Sequence, residues 1–108
     1  MAVTLAPDFT HNGLRLGPDG QRRSLEGLYT AFPDAHVVIE DTVAAGDRVV
    51  SRMLWSGTQE GVFLGYPASG RAVTWTAISI IRVAGGRIVE AWVNEDDLGL
   101  LKAIGALG

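Results

Sequence analysis

Residues 72–96, AVTWTAISIIRVAGGRIVEAWVNED, decide the fold of this chain. Gly85-Gly86 is a strong hairpin signal, because adjacent glycines adopt the left-handed conformations that tight β-turns need. It separates two stretches rich in β-branched and aromatic residues, which predict strands near Ala72–Val83 and Arg87–Glu95. Both strands are longer than the roughly five or six residues that are usual, so we expect a bent sheet rather than a sandwich of short strands.

Two further strands precede this hairpin. Gly46-Asp47 is a second turn signal, and it lies between β-type stretches near Ala35–Val43 and Arg48–Thr58. A loop of glycine, proline and aromatic residues, Glu60–Gly70, leads from there to the third strand. Consecutive strands joined by short turns are antiparallel. The four strands therefore predict one curved antiparallel sheet.

A helix is predicted on each side of these strands. Asp19 can cap a helix that begins near Gln21 and ends before Pro33, because the residue before a proline leaves the helical region. Asp97 is the expected N-cap of a last helix. The apolar positions of that helix follow helical spacing: Leu98, Leu101 and Ile104, with Leu100 and Leu107 beside them. Residues 1–20 are expected to be irregular, since glycine and proline interrupt them.

Length and composition fit one domain. The chain has 108 residues, 47% of them hydrophobic, and we expect a single α+β domain over residues 1–108. Its basic residues are scattered and its net charge is −3, which argues against nucleic acid binding, since that needs a clustered basic face. No apolar run is long enough to span a membrane, and the N-terminus lacks the features of a signal peptide. The expected location is cytoplasmic.

Alternation along the last strand assigns its side chains to two faces. Trp92, Asn94 and Asp96 share one face, which we expect to point inward. A carboxylate beside apolar walls has its charged form disfavoured, so its pKa rises toward the range useful for acid/base chemistry. Asp96 is therefore the candidate catalytic acid/base. The alternative is a structural carboxylate at the start of the last helix, where the helix dipole stabilises negative charge.

Both faces of the predicted sheet carry apolar side chains, so both must be covered. Helices can cover one face. Charged residues make up 19% of the chain, below the roughly 25% typical of soluble domains, which also suggests a covered surface. A second copy of the chain is the simplest cover for the other face, and we expect a homodimer through the sheet.

A series of stretches carries a family resemblance. They are Ala6–His11, Ala31–His36, Gly46–Val50, Gly57–Gly61, Phe63–Pro67 with Ser69–Arg71, Gly86–Glu90, and last Trp92, Asp96 and Leu98–Leu101. Each is weakly specific, but the ordered set, over nearly all of residues 6–108, resembles the SnoaL-like polyketide cyclases of the NTF2-like superfamily. The resemblance implies a cone-shaped α+β barrel around a deep apolar pocket, usually dimeric through its sheet.

The resemblance also implies a reaction and its residues. Cyclases of this group close a ring by intramolecular aldol condensation on a hydrophobic carbonyl compound, without a metal or cofactor, and an aspartate near the end of the last strand moves the proton. Asp96 matches that aspartate. His11 lies where the group often has a pocket histidine, which makes it a second catalytic candidate. The spacing of the two histidines gives no metal-binding signature.

Five residues are candidates for contact with the substrate: Trp92, Asn94, Trp75, His36 and Tyr29. We expect Trp92 and Trp75 to hold a flat substrate, and Asn94 or His11 to hydrogen-bond the developing oxyanion. The alternatives are packing in the core or an interface for the tryptophans, strand packing for Asn94, a structural role for His36 and helix packing for Tyr29.

The chain departs from the group at three points. Ala91 stands where a histidine often precedes the tryptophan, and Gln59 replaces the histidine of a Gly-Thr-His stretch. Most members carry a long helix before the Pro-Asp-Phe-type segment, with which this chain almost begins, so we expect a more open pocket or one filled by another chain. Two other functions stay open: epoxide hydrolysis or ketosteroid-type isomerisation in the same pocket, and a non-catalytic ligand-binding or dimerisation module.

Overall fold

The computed structural model describes residues 4–106. The strands are β1 (Leu5–His11), β2 (Leu14–Arg15), β3 (His36–Ala45), β4 (Arg48–Thr58), β5 (Ala72–Ala84) and β6 (Arg87–Glu95). The helices are α1 (Gly17–Ala31) and α2 (Asp97–Ala103). Leu107, which the sequence pattern grouped with the last helix, lies outside the described residues. Within residues 4–106 neither helix has the length and apolar character needed to cross a membrane.

The strands form one curved sheet in the order β2-β1-β6-β5-β4-β3. The predicted antiparallel pairing of β3, β4, β5 and β6 is confirmed. β1 pairs parallel with β6, so the sheet is mixed rather than antiparallel. The prediction of irregular structure before α1 is wrong for the described residues from Leu5 on, which form β1 and β2. Pro7 and Asp8, which are rare in strands, concealed β1. They are tolerated because the β1–β6 register is interrupted between Leu5 and Thr10.

A β-bulge in the hairpin of β5 and β6 decides which way the side chains of β6 point. Val83 lies opposite Ile88. The next pair is Arg82 with Glu90, so Val89 is an extra residue in β6. Because side chains alternate with a period of two, one extra residue moves every later side chain of the strand to the other face.

Both helices pack on one face of the sheet, which we call the concave face. Phe32, which follows α1, and Leu100 of α2 are completely buried and belong to one cluster with Trp75 of β5. The Phe32 and Trp75 rings lie 5.0 Å apart between centroids. Burial of each such side chain contributes roughly 1.5–3 kcal/mol, so this cluster holds the helices to the sheet. We call the opposite side of the sheet the convex face.

A buried amide organises the loop between β4 and β5. Gln59 is fully buried, and its Nε2 donates to the carbonyl oxygens of Gly61 (3.1 Å) and Tyr66 (3.3 Å). Its Oε1 accepts from the Ser69 N–H at 3.0 Å. The amide therefore has partners for both of its ends, as a buried polar group needs. Gln59 thus fixes the shape of the 59–71 loop.

α2 begins at Asp97 as predicted, but its N-cap differs from the prediction by one residue. The Asp96 Oδ1 accepts a hydrogen bond from the Gly99 N–H at 2.9 Å, so Asp96 and not Asp97 is the N-cap. A side-chain cap of this kind is worth about 0.5–2 kcal/mol. The structural role considered as the alternative for Asp96 is therefore present in the fold.

Candidate functional site

The concave face, α1 and the 59–71 loop surround a cavity of about 810 Å³. Most of its wall is apolar, with side chains from β1, α1, β4, β5, β6 and the loop: Leu5, Phe9, Leu25, Leu28, Met53, Trp55, Val62, Phe63, Leu64, Ile81, Ile88, Ala91 and Val93. The polar side chains in the wall are His11, Asn12, Gln21, Ser24, Ser79, Glu95 and Asp97. A few polar groups in an apolar cavity of this size are typical of a small-molecule site.

Glu95, the last residue of β6, brings a carboxyl group to this cavity. It follows Ala91 and Val93 on the same face of the strand. Burial raises the pKa of the Glu95 carboxyl above its ordinary value, and the negative charge of Asp97 raises it further, while the charge of His11 acts in the opposite direction. The residue as a whole is nevertheless exposed to solvent, so it is only its side toward the cavity that is covered. Glu95 thus has the property that the sequence suggested for Asp96, a carboxyl whose charged form is disfavoured.

His11, at the end of β1, lies in the same cavity wall. It is opposite Ala91 in the β1–β6 ladder, and its Nδ1 is 3.0 Å from the Oε1 of Gln21 in α1. The Phe9 ring contacts the imidazole edge-on, with centroids 6.4 Å apart. His11 therefore lies in the cavity wall, and its catalytic role stays a prediction.

Asn12 fixes the end of β1 against β6. Its backbone is left-handed, with φ of 51°, which is uncommon for a residue other than glycine. Its side chain compensates by bridging Val93: the Oδ1 accepts from the Val93 N–H at 2.8 Å, and the Nδ2 donates to the Val93 carbonyl at 3.2 Å. The bridge holds His11 beside the strand that carries Glu95.

Trp55 of β4 gives the cavity an aromatic wall. Its ring stacks on Trp75, with centroids 5.9 Å apart and an interplanar angle of 6°. Trp75 is only 3% exposed, so it belongs to the core, while Trp55 contacts the cavity. The Trp55 Nε1 is buried and has no hydrogen-bond partner among the described residues. Such an unpaired donor costs about 1–3 kcal/mol.

The structure corrects the inward face expected for Trp92, Asn94 and Asp96. These residues line a separate groove of about 370 Å³, together with Ile78 and Ile80 on the convex side of the sheet, and Glu95 borders this groove as well as the larger cavity. The physical reason is the Val89 bulge, which reverses the facing of the residues that follow it. Trp92 and Asn94 are thus not in the wall of the larger cavity. A role of Asp96 in proton transfer stays a prediction, but Asp96 does not line that cavity either.

The remaining predicted contacts lie away from the cavity. Trp75 is behind Trp55, His36 is exposed at the start of β3, and Tyr29 is 45% exposed on α1. Residues 4–106 contain no group of three or more histidine, aspartate or glutamate side chains arranged to hold a metal ion. The sequence missed Glu95 because the bulge concealed its facing, and it missed Gln21 because glutamine is an ordinary residue in a helix.

The family model of the SnoaL-like polyketide cyclases matches residues 1–104. The chain belongs to this family. Its curved mixed sheet with two helices is the NTF2-like fold of SnoaL-like structures. A search of curated proteins finds no match.

Several solved structures resemble this SnoaL-like protein. TsrD from Streptomyces laurentii is 33% identical, with a TM-score of 0.88 over 95% of this chain and 78% of TsrD. IdmH from Streptomyces antibioticus, described as a candidate polyketide cyclase, is 29% identical, with a TM-score of 0.82 over 94% of this chain and 82% of IdmH. AclR from Streptomyces galilaeus, described as a candidate hydroxylase, is 27% identical, with a TM-score of 0.84 over 96% and 80% of the two chains.

Proposed function

We propose that this SnoaL-like protein is an enzyme that moves a proton next to a carbonyl group of a hydrophobic small molecule bound in the concave cavity. The observation that carries the proposal is the Glu95 carboxyl, which faces a mostly apolar cavity and has a raised pKa. Membership of the SnoaL-like cyclase family supports the same reaction class. Trp55 offers a flat surface for a planar substrate.

The proposed reaction is an intramolecular aldol ring closure. The Glu95 carboxylate accepts a proton from the carbon next to a carbonyl, and the electron pair of the broken C–H bond forms an enolate. The enolate carbon attacks a second carbonyl carbon of the same molecule, which forms the new C–C bond. The resulting alkoxide takes the proton back from Glu95, so the step balances without an oxidant or a reductant. A raised carboxyl pKa suits both halves of this exchange.

The first step can be tested without the natural substrate. We expect the protein to accelerate hydrogen–deuterium exchange at the α-carbons of 2-tetralone, a small aromatic ketone, followed by proton NMR in D₂O. Glu95→Gln keeps the size of the side chain and removes the base. We expect it to lower the catalysed exchange by about 10²-fold or more, in line with the loss of a general base.

The matched control is the neighbouring carboxylate. Asp96→Asn retains a good N-cap, because asparagine also accepts the hydrogen bond from Gly99. We expect its catalysed exchange to stay close to that of the wild type. A large loss in Asp96→Asn with normal exchange in Glu95→Gln would return the role to Asp96, and no catalysed exchange in the wild type would contradict the proposed chemistry.

A second candidate reaction is favoured by Asp97, which lines the cavity together with Glu95. In epoxide hydrolysis one carboxylate takes a proton from the attacking water, and a protonated carboxyl gives its proton to the epoxide oxygen as the C–O bond breaks. Styrene oxide tests this reaction through formation of phenylethanediol. Diol formation that is lost in both Asp97→Asn and Glu95→Gln supports it, and no diol above background excludes it for this probe.

For the convex face we propose a second copy of the chain as the partner. Several apolar side chains are half-exposed there: Val38, Val43 and Ile78. The same face carries both signs of charge, in the Arg52–Glu40 pair (3.1 Å) and the Arg82–Glu90 pair (3.3 Å). In a two-fold interface a surface meets itself, so a face with balanced charges is compatible with its own copy.

A further inference from the structure

The hydrogen bond between His11 and Gln21 constrains the chemistry of the imidazole. An amide carbonyl oxygen only accepts hydrogen bonds, so the Nδ1 of His11 must donate to the Oε1 of Gln21 across the 3.0 Å that separate them. A neutral imidazole carries a single ring proton, and the Gln21 oxygen favours the tautomer that has this proton on Nδ1. The Nε2 of the neutral ring is then a bare acceptor.

The surroundings leave this acceptor available to a ligand. His11 lines the cavity, and no described residue forms a hydrogen bond with its Nε2. The backbone on either side of the ring is fixed, because the Asn12 N–H donates to the Ala91 carbonyl at 2.9 Å and the Asn12 side chain bridges Val93. Hydrogen bonds to β6 thus fix the backbone beside His11, and the hydrogen bond to Gln21 of α1 fixes the orientation of its ring.

We propose that Gln21 is a positioning residue that fixes the tautomer of His11, and that the Nε2 of His11 accepts a hydrogen bond from a hydroxyl group of the ligand. The ligand class is a planar apolar molecule with a phenolic or enolic hydroxyl. This inference shares only the cavity with the proposed function, and it does not depend on the proposed reaction. It changes the role expected for His11: the neutral ring accepts a hydrogen bond, and only the protonated ring can donate one to an oxyanion.

The tautomer can be read directly. Two-bond proton–nitrogen correlation spectra of the imidazoles distinguish Nδ1–H from Nε2–H at the alkaline end of a pH titration, where the ring is neutral. We expect His11 to be in the Nδ1–H form in the wild type and to lose that preference in Gln21→Leu. Gln21→Glu still offers an acceptor oxygen and should keep it. The signals of the exposed His36 serve as an internal reference, and His11→Asn assigns the two sets.

The ligand class is tested with a matched pair of probes. Calorimetric binding of 1-naphthol and 1-methoxynaphthalene compares nearly the same ring system with and without a hydroxyl donor. We expect the wild type to prefer 1-naphthol by about three- to tenfold, the range of one net hydrogen bond. Gln21→Leu and His11→Phe should bind both probes with similar affinity.

Each outcome decides one part of the inference. An Nε2–H tautomer in the wild type, or an unchanged tautomer in Gln21→Leu, contradicts the positioning role of Gln21. The correct tautomer without a preference for 1-naphthol contradicts the hydroxyl subsite. Neither measurement depends on turnover, so Glu95→Gln should keep both the tautomer and the probe preference even where it abolishes proton exchange. That separates a failure here from a failure of the proposed enzyme activity.

Discussion

The two faces of the sheet resemble each other in apolar content but differ in what covers them. The concave face meets α1, α2 and the 59–71 loop, which close a core around Phe32 and Leu100 and leave a cavity beside it. The convex face keeps Ile78 50% exposed and carries a smaller groove, of about 370 Å³, beside Trp92. Apolar content alone therefore does not identify the functional side of such a sheet. The side is identified by where the helices of the same chain pack.

The neighbouring carboxylates Glu95 and Asp96 show this difference at the scale of single residues. Glu95 faces the cavity, where burial disfavours its charge. Asp96 accepts a hydrogen bond from the Gly99 N–H and caps α2. One carboxyl borders the cavity and the other caps a helix, although one peptide bond separates them. Their register relative to the Val89 bulge decides which is which.

One alanine inserted between Trp92 and Val93 is the strongest way to break this comparison. It would turn Asn94 to the concave face and Glu95 to the convex face, because one extra residue reverses the facing of those that follow it. We expect loss of cooperative folding, because Asn94 would enter the interior without a partner. Thermal melts followed by circular dichroism test this. Deletion of Val89 is the matched control: Ile88 can still pair with Val83 and Glu90 with Arg82, now in regular alternation, so the later side chains keep their faces and the transition should stay cooperative. A transition like that of the wild type in the insertion variant would contradict the importance given to the facing of β6.

The same bulge explains how far the sequence could lead. The bounds of β4 and β6 were predicted correctly, because Gly46-Asp47 and Gly85-Gly86 mark the turns beside them. The facing of β6 was not predicted correctly, because apolar residues occur at both parities in residues 88–93 and give no signal of a register shift. β1 was missed for a different reason: its pairing with β6 is parallel and distant in sequence, and local composition does not report such contacts.

The residues of the candidate site could be predicted from the sequence only in part, for the same reasons. His11 could be placed from the family resemblance, and it lies in the cavity wall. Glu95 could have been found only by pairing β6 with the buried face of β5, where Ala77 lies opposite Glu95. Gln21 becomes informative only through its contact with His11, which joins a helix to a strand ten positions away in the chain.

Replacing a tryptophan by alanine on each face of the sheet should lower the free energy of unfolding by different amounts. Trp75→Ala removes a 3% exposed ring that contacts both Phe32 and Trp55, and we expect a loss of about 3–5 kcal/mol in the free energy of unfolding. Trp92→Ala removes a ring that is only partly covered in the single chain, so its cost in the monomer should be clearly smaller. Urea denaturation at low protein concentration measures both. Equal losses would contradict the assignment of Trp75 to the core and Trp92 to an open face.

A lysine on the convex face should separate the copies without unfolding them. We expect the wild type to sediment as a dimer and Ile78→Lys as a folded monomer, because the charge would have to be buried in the interface without a partner. Val62→Lys is the matched control, since Val62 is also exposed, at 64%, but lies at the cavity. Analytical ultracentrifugation distinguishes them. A monomeric wild type at micromolar concentration, or a dimeric Ile78→Lys variant, would contradict the proposal that a second copy of the chain covers the convex face.

The smallest expected effect concerns the pH dependence of stability. The pKa of Glu95 is raised in the folded protein, so its contribution to stability is present below its ordinary value of 4.5 and is lost as the pH rises through the folded pKa. Glu95→Gln stays neutral throughout. We therefore expect the variant to gain stability relative to the wild type as the pH rises above 4.5, measured by urea denaturation across that range.

Asp34 gives the opposite slope and serves as the control. The backbone N–H and the hydroxyl of Thr58 donate to its carboxylate at 2.7 and 2.9 Å, which lowers the pKa of Asp34 below its ordinary value. Its contribution is present at neutral pH and is lost as the pH falls through the folded pKa. Asp34→Asn should therefore lose stability at neutral pH and approach the wild type in acid. If Glu95→Gln showed this same direction, the charged form of the Glu95 carboxyl would be stabilised by the folded protein. The cavity would then lack the carboxyl with a raised pKa on which the proposed proton transfer rests.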